Sequence, residues 1–65
     1  MTLKEILEPY KTKFIAEKLG VTVDMVRKYT YGISEPNIEK IMIISKITEH
    51  SIEEVVKAIA ESKAE

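Results

Sequence analysis

Residues 12–36 read TKFIAEKLGVTVDMVRKYTYGISEP, and this stretch decides the fold. Ile15 and Leu19 stand four apart, with the small Ala16 between them, as on the inner face of a short helix over about 12–19. Phe14 is assigned to the same apolar face. Gly20 follows, a residue that closes a helix in the left-handed conformation at no steric cost. Val21 plugs the turn, and Thr22 is placed to cap a second helix by accepting one of its free amides. In that helix Val26 and Tyr29 lie three apart and face inward. Val23, Asp24, Arg27 and Lys28 fall on the other side. Gly32 stops this helix as Gly20 stops the one before. Two short helices joined by a tight turn, spanning about 12–31, form a helix-turn-helix, a unit whose second helix fits the major groove of DNA.

Three further helices extend outward from this unit. Thr2 and Glu5 form a capping box, in which each side chain satisfies an orphan amide of the first turn. Leu3, Ile6, Leu7 and Tyr10 then repeat at i, i+3, i+4 and i+7, one apolar stripe. Pro9 lacks an amide hydrogen and crowds the preceding turn, so it is expected to end or bend this helix. Beyond Pro36 a fourth helix is expected over about 37–48, with Ile38, Ile41, Ile44 and Ser45 toward the core. Its IMII run at 41–44 also fits a strand, but helical spacing continues on both sides of it. Ile43 and Ile47 lie four apart on a different face, either as extra core or as an exposed patch for a second copy. We favour the patch. Ser51 and Glu54 make a second capping box, opening a fifth helix over about 52–62 with Ile52, Val55, Val56 and Ile59 inward. The closing SKAE is expected to fray. The fold expected is all-α, five helices in one domain over residues 1–65.

Composition sets the outer limits. A chain of 65 residues buries only about 60% of its unfolded surface, and without cysteine it has no disulfide staple. Pairing with a second copy is one way such a domain gains stability. No apolar run reaches the roughly 20 residues that span a bilayer. The opening MTLKEILEPY carries acids and no small-residue cleavage site, so no signal peptide is expected and the expected compartment is cytoplasmic. Net charge is −1, but it is unevenly spread. Residues 11–31 carry +3, from Lys11, Lys13, Lys18, Arg27 and Lys28 against Glu17 and Asp24. Residues 32–65 carry −3. Phosphate attraction depends on the local patch within about a Debye length, so the basic half suits a nucleic acid despite the acidic total.

The same residues carry a family resemblance. Ala16, Leu19, Gly20, Val21, Thr22, Val26, Tyr29, Gly32 and Pro36 resemble the pattern of the lambda repressor and Cro superfamily, the XRE-like regulators. The likeness continues through PNIEKIMIISKI and HSIEEVV, and TLKEILEPY is similar to the first helix of phage Cro. The resemblance implies a five-helix lambda-repressor-like domain acting as a sequence-specific regulator, of Cro-like repressor type. Its partner would be a pseudo-palindromic double-stranded operator, bound by a homodimer. It also implies base contacts from Val23, Asp24, Arg27 and Lys28, and phosphate contacts from Lys11, Thr12, Lys13, Thr22, Tyr31, Ser34 and Asn37. The sequence departs from the family at four places. Thr12 stands for the usual Gln, Val23 for a polar reader, Thr48 for an apolar residue, and Glu49 for the Gly that ends the fourth helix.

Physical chemistry gives these residue types the same work. Helix N-termini present free amides to phosphate. Arg27 or Lys28 can donate to guanine O6 and N7, and Arg27 can do so bidentately. Val23 suits a thymine methyl. Asp24 either accepts from cytosine N4 or pairs with Lys28 one turn on. Tyr29 shares Val26's face and is read as core. Tyr31 is open between roles. His50 has no second ligand near it and is read as a loop or capping residue, so no metal is expected. Lys57 and Lys63 read as a solvated helix face. An interface between copies is placed at Ile43, Ile47, Val56 and Ile59. No cofactor, small-molecule ligand or membrane partner is expected. The chain also lacks a nucleophile–base pairing or a phosphate loop, so no catalysis is expected. The alternative reading is a protein-interaction module on the same fold, an antirepressor or antitoxin component, favoured by the acidic second half and the Ile43/Ile47 patch.

Overall fold

The computed structural model describes residues 1–64. Its five helices are α1 (Leu3–Leu7), α2 (Thr12–Leu19), α3 (Val23–Thr30), α4 (Ile38–Thr48) and α5 (Ile52–Ala64). There is no strand among the described residues, and the 41–44 run is helical. None of the helices is long and apolar enough to cross a membrane.

The expected caps are present. Thr2 N donates to Glu5 Oε1 at 3.0 Å, and Glu5 N donates to Thr2 Oγ1 at 3.3 Å. Ser51 and Glu54 repeat the exchange at 3.3 and 3.1 Å. The backbone amide of Thr2 holds the Glu5 carboxyl below the usual carboxylate range, and the amide of Ser51 does the same for Glu54, helped by His50. A carboxyl lowered on folding stabilises the fold above its unfolded pKa and loses that effect as pH falls through the folded value. Both helix starts therefore weaken in acid.

All five helices contribute to the core, with α4 packed on α2 and α5, and α1 on α3 and α5. Leu3, Ile15, Ile44 and Val55 are fully enclosed, with Ile6, Leu7, Ala16, Leu19, Val26, Tyr29, Ala58 and Ile59 around them. Burying such an aliphatic side chain contributes about 1.5–3 kcal/mol each. Four sequence expectations are corrected here. Phe14 is exposed and stacks on Tyr10 with ring centroids 6.2 Å apart, while the Lys18 ammonium sits 5.5 Å from its centroid. Ile38 is 61% exposed, and the inner stripe of α4 is Ile44 and Thr48 with Ile41 half-buried. In α5 the buried row is Val55, Ala58, Ile59 and Ser62, leaving Ile52 and Val56 outside. Ser62 and Lys63 do not fray, since the helix continues to Ala64; only Glu65 of that segment lies outside the described residues.

Ser62 explains why the chain's end is held. Its Oγ accepts from the amide of Leu3 at 2.9 Å and donates to the carbonyl of Ala58 at 2.9 Å. The first amide of α1 is thereby satisfied inside the protein, where an unpaired donor costs about 1–3 kcal/mol. Lys63 adds an ion pair to Glu35, so it is not simply a solvated residue. Lys57 pairs with Glu53 on the exposed face.

The α4–α5 corner shows how the two departures from the family pattern are accommodated. Thr48 is buried and donates to the carbonyl of Ile44 at 2.6 Å, so its hydroxyl needs no outside partner. Glu49 takes the left-handed conformation at φ 60°, and Ser45 Oγ donates to the His50 carbonyl just beyond it. An L-residue there costs about 1–2 kcal/mol. Glycine would relieve this but lose roughly 0.5–1 kcal/mol to its freer unfolded chain. Glu49→Gly is thus expected to stabilise the fold by about 0.5–1 kcal/mol. At this size that raises the melting midpoint by a few degrees, and a calorimetric scan that finds no rise refutes it.

Candidate nucleic-acid interface

The turn between α2 and α3 is built by one glycine and one threonine. Gly20 adopts φ 70° and ψ 32°. Its amide donates to Glu17 O, and that of Val21 reaches back to Ala16 O at 3.0 Å, the bond pair of a Schellman closure. Thr22 then caps α3 by accepting from Met25 N at 3.2 Å. Val21 is half-buried against the core, as a turn plug must be. α3 ends by the same device. Gly32 N donates to Tyr29 O at 3.2 Å and Ile33 N to Lys28 O at 2.9 Å, with Gly32 at φ 74°.

These two closures fix which side of α3 faces out. Val26 and Tyr29 are buried, while Asp24, Arg27 and Lys28 are exposed. None of the three forms an ion pair among the described residues, so Asp24 does not pair with Lys28 in this structure. Two cations and a carboxylate are left presented together on one helix face. Val23 departs from the expected outward position: it is half-buried and leans on the core. Only part of its side chain remains to touch a ligand.

The flanking residues fall at the edges of this face in different states. Lys11 and Lys13 are exposed, and Thr12 opens α2 half-buried. Lys11 occupies the N-cap position without a side-chain hydrogen bond, so the first amides of α2 have no side-chain cap. Tyr31 is 64% exposed, immediately after α3. Ser34 is half-buried. Asn37 is exposed, but its side-chain oxygen caps α4 by accepting from Lys40 N at 3.0 Å, which leaves only its amide donors free. Thr22 likewise has its hydroxyl oxygen engaged in its own cap.

One residue here escaped the sequence reading. A cleft of about 280 Å³ opens between the end of α1, the start of α2 and the end of α3, and Lys4 lines it with Thr12, Arg27 and Tyr31. Lys4 is the only base among the first ten residues and flanks the apolar stripe, which is the available signal. Among the residues expected between copies, Ile59 needs revision. Ile59 is 8% exposed and belongs to the core, so it drops out of the interface between copies. Ile43 and Ile47 are half-buried against the core, and Val56 is exposed. His50 lies at the corner with Nδ1 3.3 Å from Glu54, and no group of His, Asp or Glu able to hold a metal occurs among the described residues.

The helix-turn-helix family pattern matches residues 3–55, most of the chain and the whole of the face described above. No curated protein and no solved structure matches it. The order of five helices, the two glycine closures and this match agree. The chain is a lambda-repressor-like, all-α member of the XRE-type helix-turn-helix family of DNA-binding transcription regulators.

Proposed function

We propose that this protein is a Cro-like repressor in the cytoplasm, binding a pseudo-palindromic operator as a homodimer with α3 in the major groove. The observation that carries the reading is the outward face of α3, where Arg27 and Lys28 are exposed and free of ion pairs among the described residues. A paired cation would have to give up its partner before meeting DNA. In this reading Arg27 and Lys28 donate to guanine edges, Asp24 accepts from a cytosine amine, and the exposed part of Val23 meets a thymine methyl. Lys11, Thr12 and Lys13 hold phosphate at the start of α2, where uncapped amides add their partial positive charge. Lys4 joins them from α1. Tyr31, Ser34 and the free amide donors of Asn37 hold the backbone beyond α3, and the exposed Thr22 meets it at the turn. Repression follows from occupying the promoter.

Selection of bound sequences from a random duplex pool tests this. At about physiological salt the protein should enrich a two-fold motif with half-site centres about 10 bp apart. Weak binding that vanishes as salt rises, with no enriched motif, would refute the operator reading. It would favour a protein-interaction module, an antirepressor or antitoxin component, which the exposed Ile38, Met42 and Ile52 would serve.

A further inference from the structure

One face of α4 has a symmetry that the DNA face does not use, and of its four residues only Ile43 also leans on the core. Glu39, Met42, Ile43 and Lys46 follow one another at i, i+3, i+4 and i+7, so they form one row along the helix. The structure gathers these four, with Ser45 and Ile52, around an open groove of about 540 Å³. Met42 is 53% exposed and Ile52 43% exposed. Neither Glu39 nor Lys46 forms an ion pair among the described residues. An apolar strip with an unpaired acid at one end and an unpaired base at the other has an obvious complement: the same strip turned end for end.

We propose that two copies of this chain pair through α4, antiparallel and two-fold symmetric, with Glu39 of each copy facing Lys46 of the other. The register follows from the positions alone. The midpoint of Glu39 and Lys46 falls between Met42 and Ile43, which is also the centre of the apolar pair. A two-fold axis there brings both charge pairs into opposition at once. Seven residues make almost two whole turns, about 10 Å along the axis, so acid and base lie on one side of the strip. Met42 and Ile43 then meet their own counterparts beside the axis. This is an isologous contact, in which one patch complements itself. Placing an acid near the start of a helix and a base near its end also suits the helix dipole in a monomer. That reading requires no partner, and it predicts no effect of charge exchange on association. The pairing rests on the homodimer reading above and specifies its surface and register.

The test is sedimentation over a concentration series for the wild type, Glu39→Lys, Lys46→Glu, the double exchange and a mixture of the two single variants. Either single variant sets like charges against each other twice, so its dimer should weaken about tenfold or more. The double exchange restores both pairs within one sequence. The mixture restores them between sequences, so heterodimers should form from two chains that do not self-associate. Circular dichroism checks that each variant stays folded, as expected for two exposed positions. A wild-type dimer that tolerates both single variants overturns this register while leaving the homodimer intact. A wild type that stays monomeric throughout, free and on the selected operator, overturns the homodimer and this surface together.

Discussion

Replacing Gly32 by alanine is expected to remove about 2–5 kcal/mol of stability. Two costs add at that position. The backbone stands at φ 74°, where an L-residue pays about 1–2 kcal/mol. The new Cβ would also lie 2.9 Å from the Ser62 carbonyl oxygen, 3.2 Å from its carbon and 3.3 Å from Lys63 Cα. All three are backbone atoms of a helix, so no side chain can swing aside, and such overpacking costs typically about 1–3 kcal/mol. The contact matters because Ser62 also holds the first amide of α1. Pushing α5 outward would strain that bond as well. A domain of this size holds roughly 3–10 kcal/mol in all, so the variant should lose a large share of its stability. Gly20→Ala is the control. Its φ is 70°, but nothing lies within 4 Å of the added carbon, so only the conformational cost applies. Urea titration of both variants should show Gly32→Ala losing clearly more. Equal losses would mean that the close approach to Ser62 contributes nothing.

That pair of glycines also shows why part of the fold was legible. A glycine followed by a cap, or a glycine at the end of a short periodic run, encodes a local conformation that few other residues allow. The turn at Gly20–Thr22 and the stop at Gly32 were therefore readable without knowing what packs on them. The identity of the outward cations on α3 followed, because two stops and one inner pair leave little rotational freedom to an eight-residue helix. The helices without such punctuation on both sides were read less well. In α4 the i+3 steps from Ile38 to Ile41 to Ile44 each fall short of a full turn by about 60°, so the first member ends well around the cylinder from the third. The step of four from Ile44 to Thr48 corrects the drift, but Thr48 carries no apolar signal. In α5 the inner row includes Ala58 and Ser62, small residues suited to the close packing of α1 against α5. Hydrophobicity pointed instead to Ile52 and Val56, one row around. In α2, Ile15, Ala16 and Leu19 already fill the inner arc, which leaves no place there for Phe14. What the sequence left unread is in each case the rotation of a helix about its own axis. That rotation depends on which neighbours are close enough to demand small residues.

The double substitution Arg27→Ala, Lys28→Ala should sharply reduce operator selectivity and weaken operator binding by about a hundredfold or more, with the fold unchanged. Both side chains are exposed and neither contributes to the core, so the melting midpoint should hold within a degree or two. The salt dependence separates the two jobs a cation can do. A cation that neutralises a phosphate adds about 0.9 to the slope of log affinity against log salt. A cation committed to a base edge adds discrimination worth about 1–3 kcal/mol between sequences. Arg27 also lines the cleft with Lys4 and Thr12, near the start of α2, where phosphate is expected. Lys28 lies one residue on, outside that cleft. The single variants should therefore differ. Arg27→Ala should lower the salt slope as well as the affinity, whereas Lys28→Ala should cost discrimination between operator and random duplex at a nearly constant slope. Lys4→Ala should lower the slope and weaken operator and random duplex alike, since it reaches backbone from α1 and touches no base in this arrangement. If the double variant binds the selected operator as the wild type does, with the same slope, α3 does not enter the groove by this face. The exposed cations would then be ordinary solvated charge.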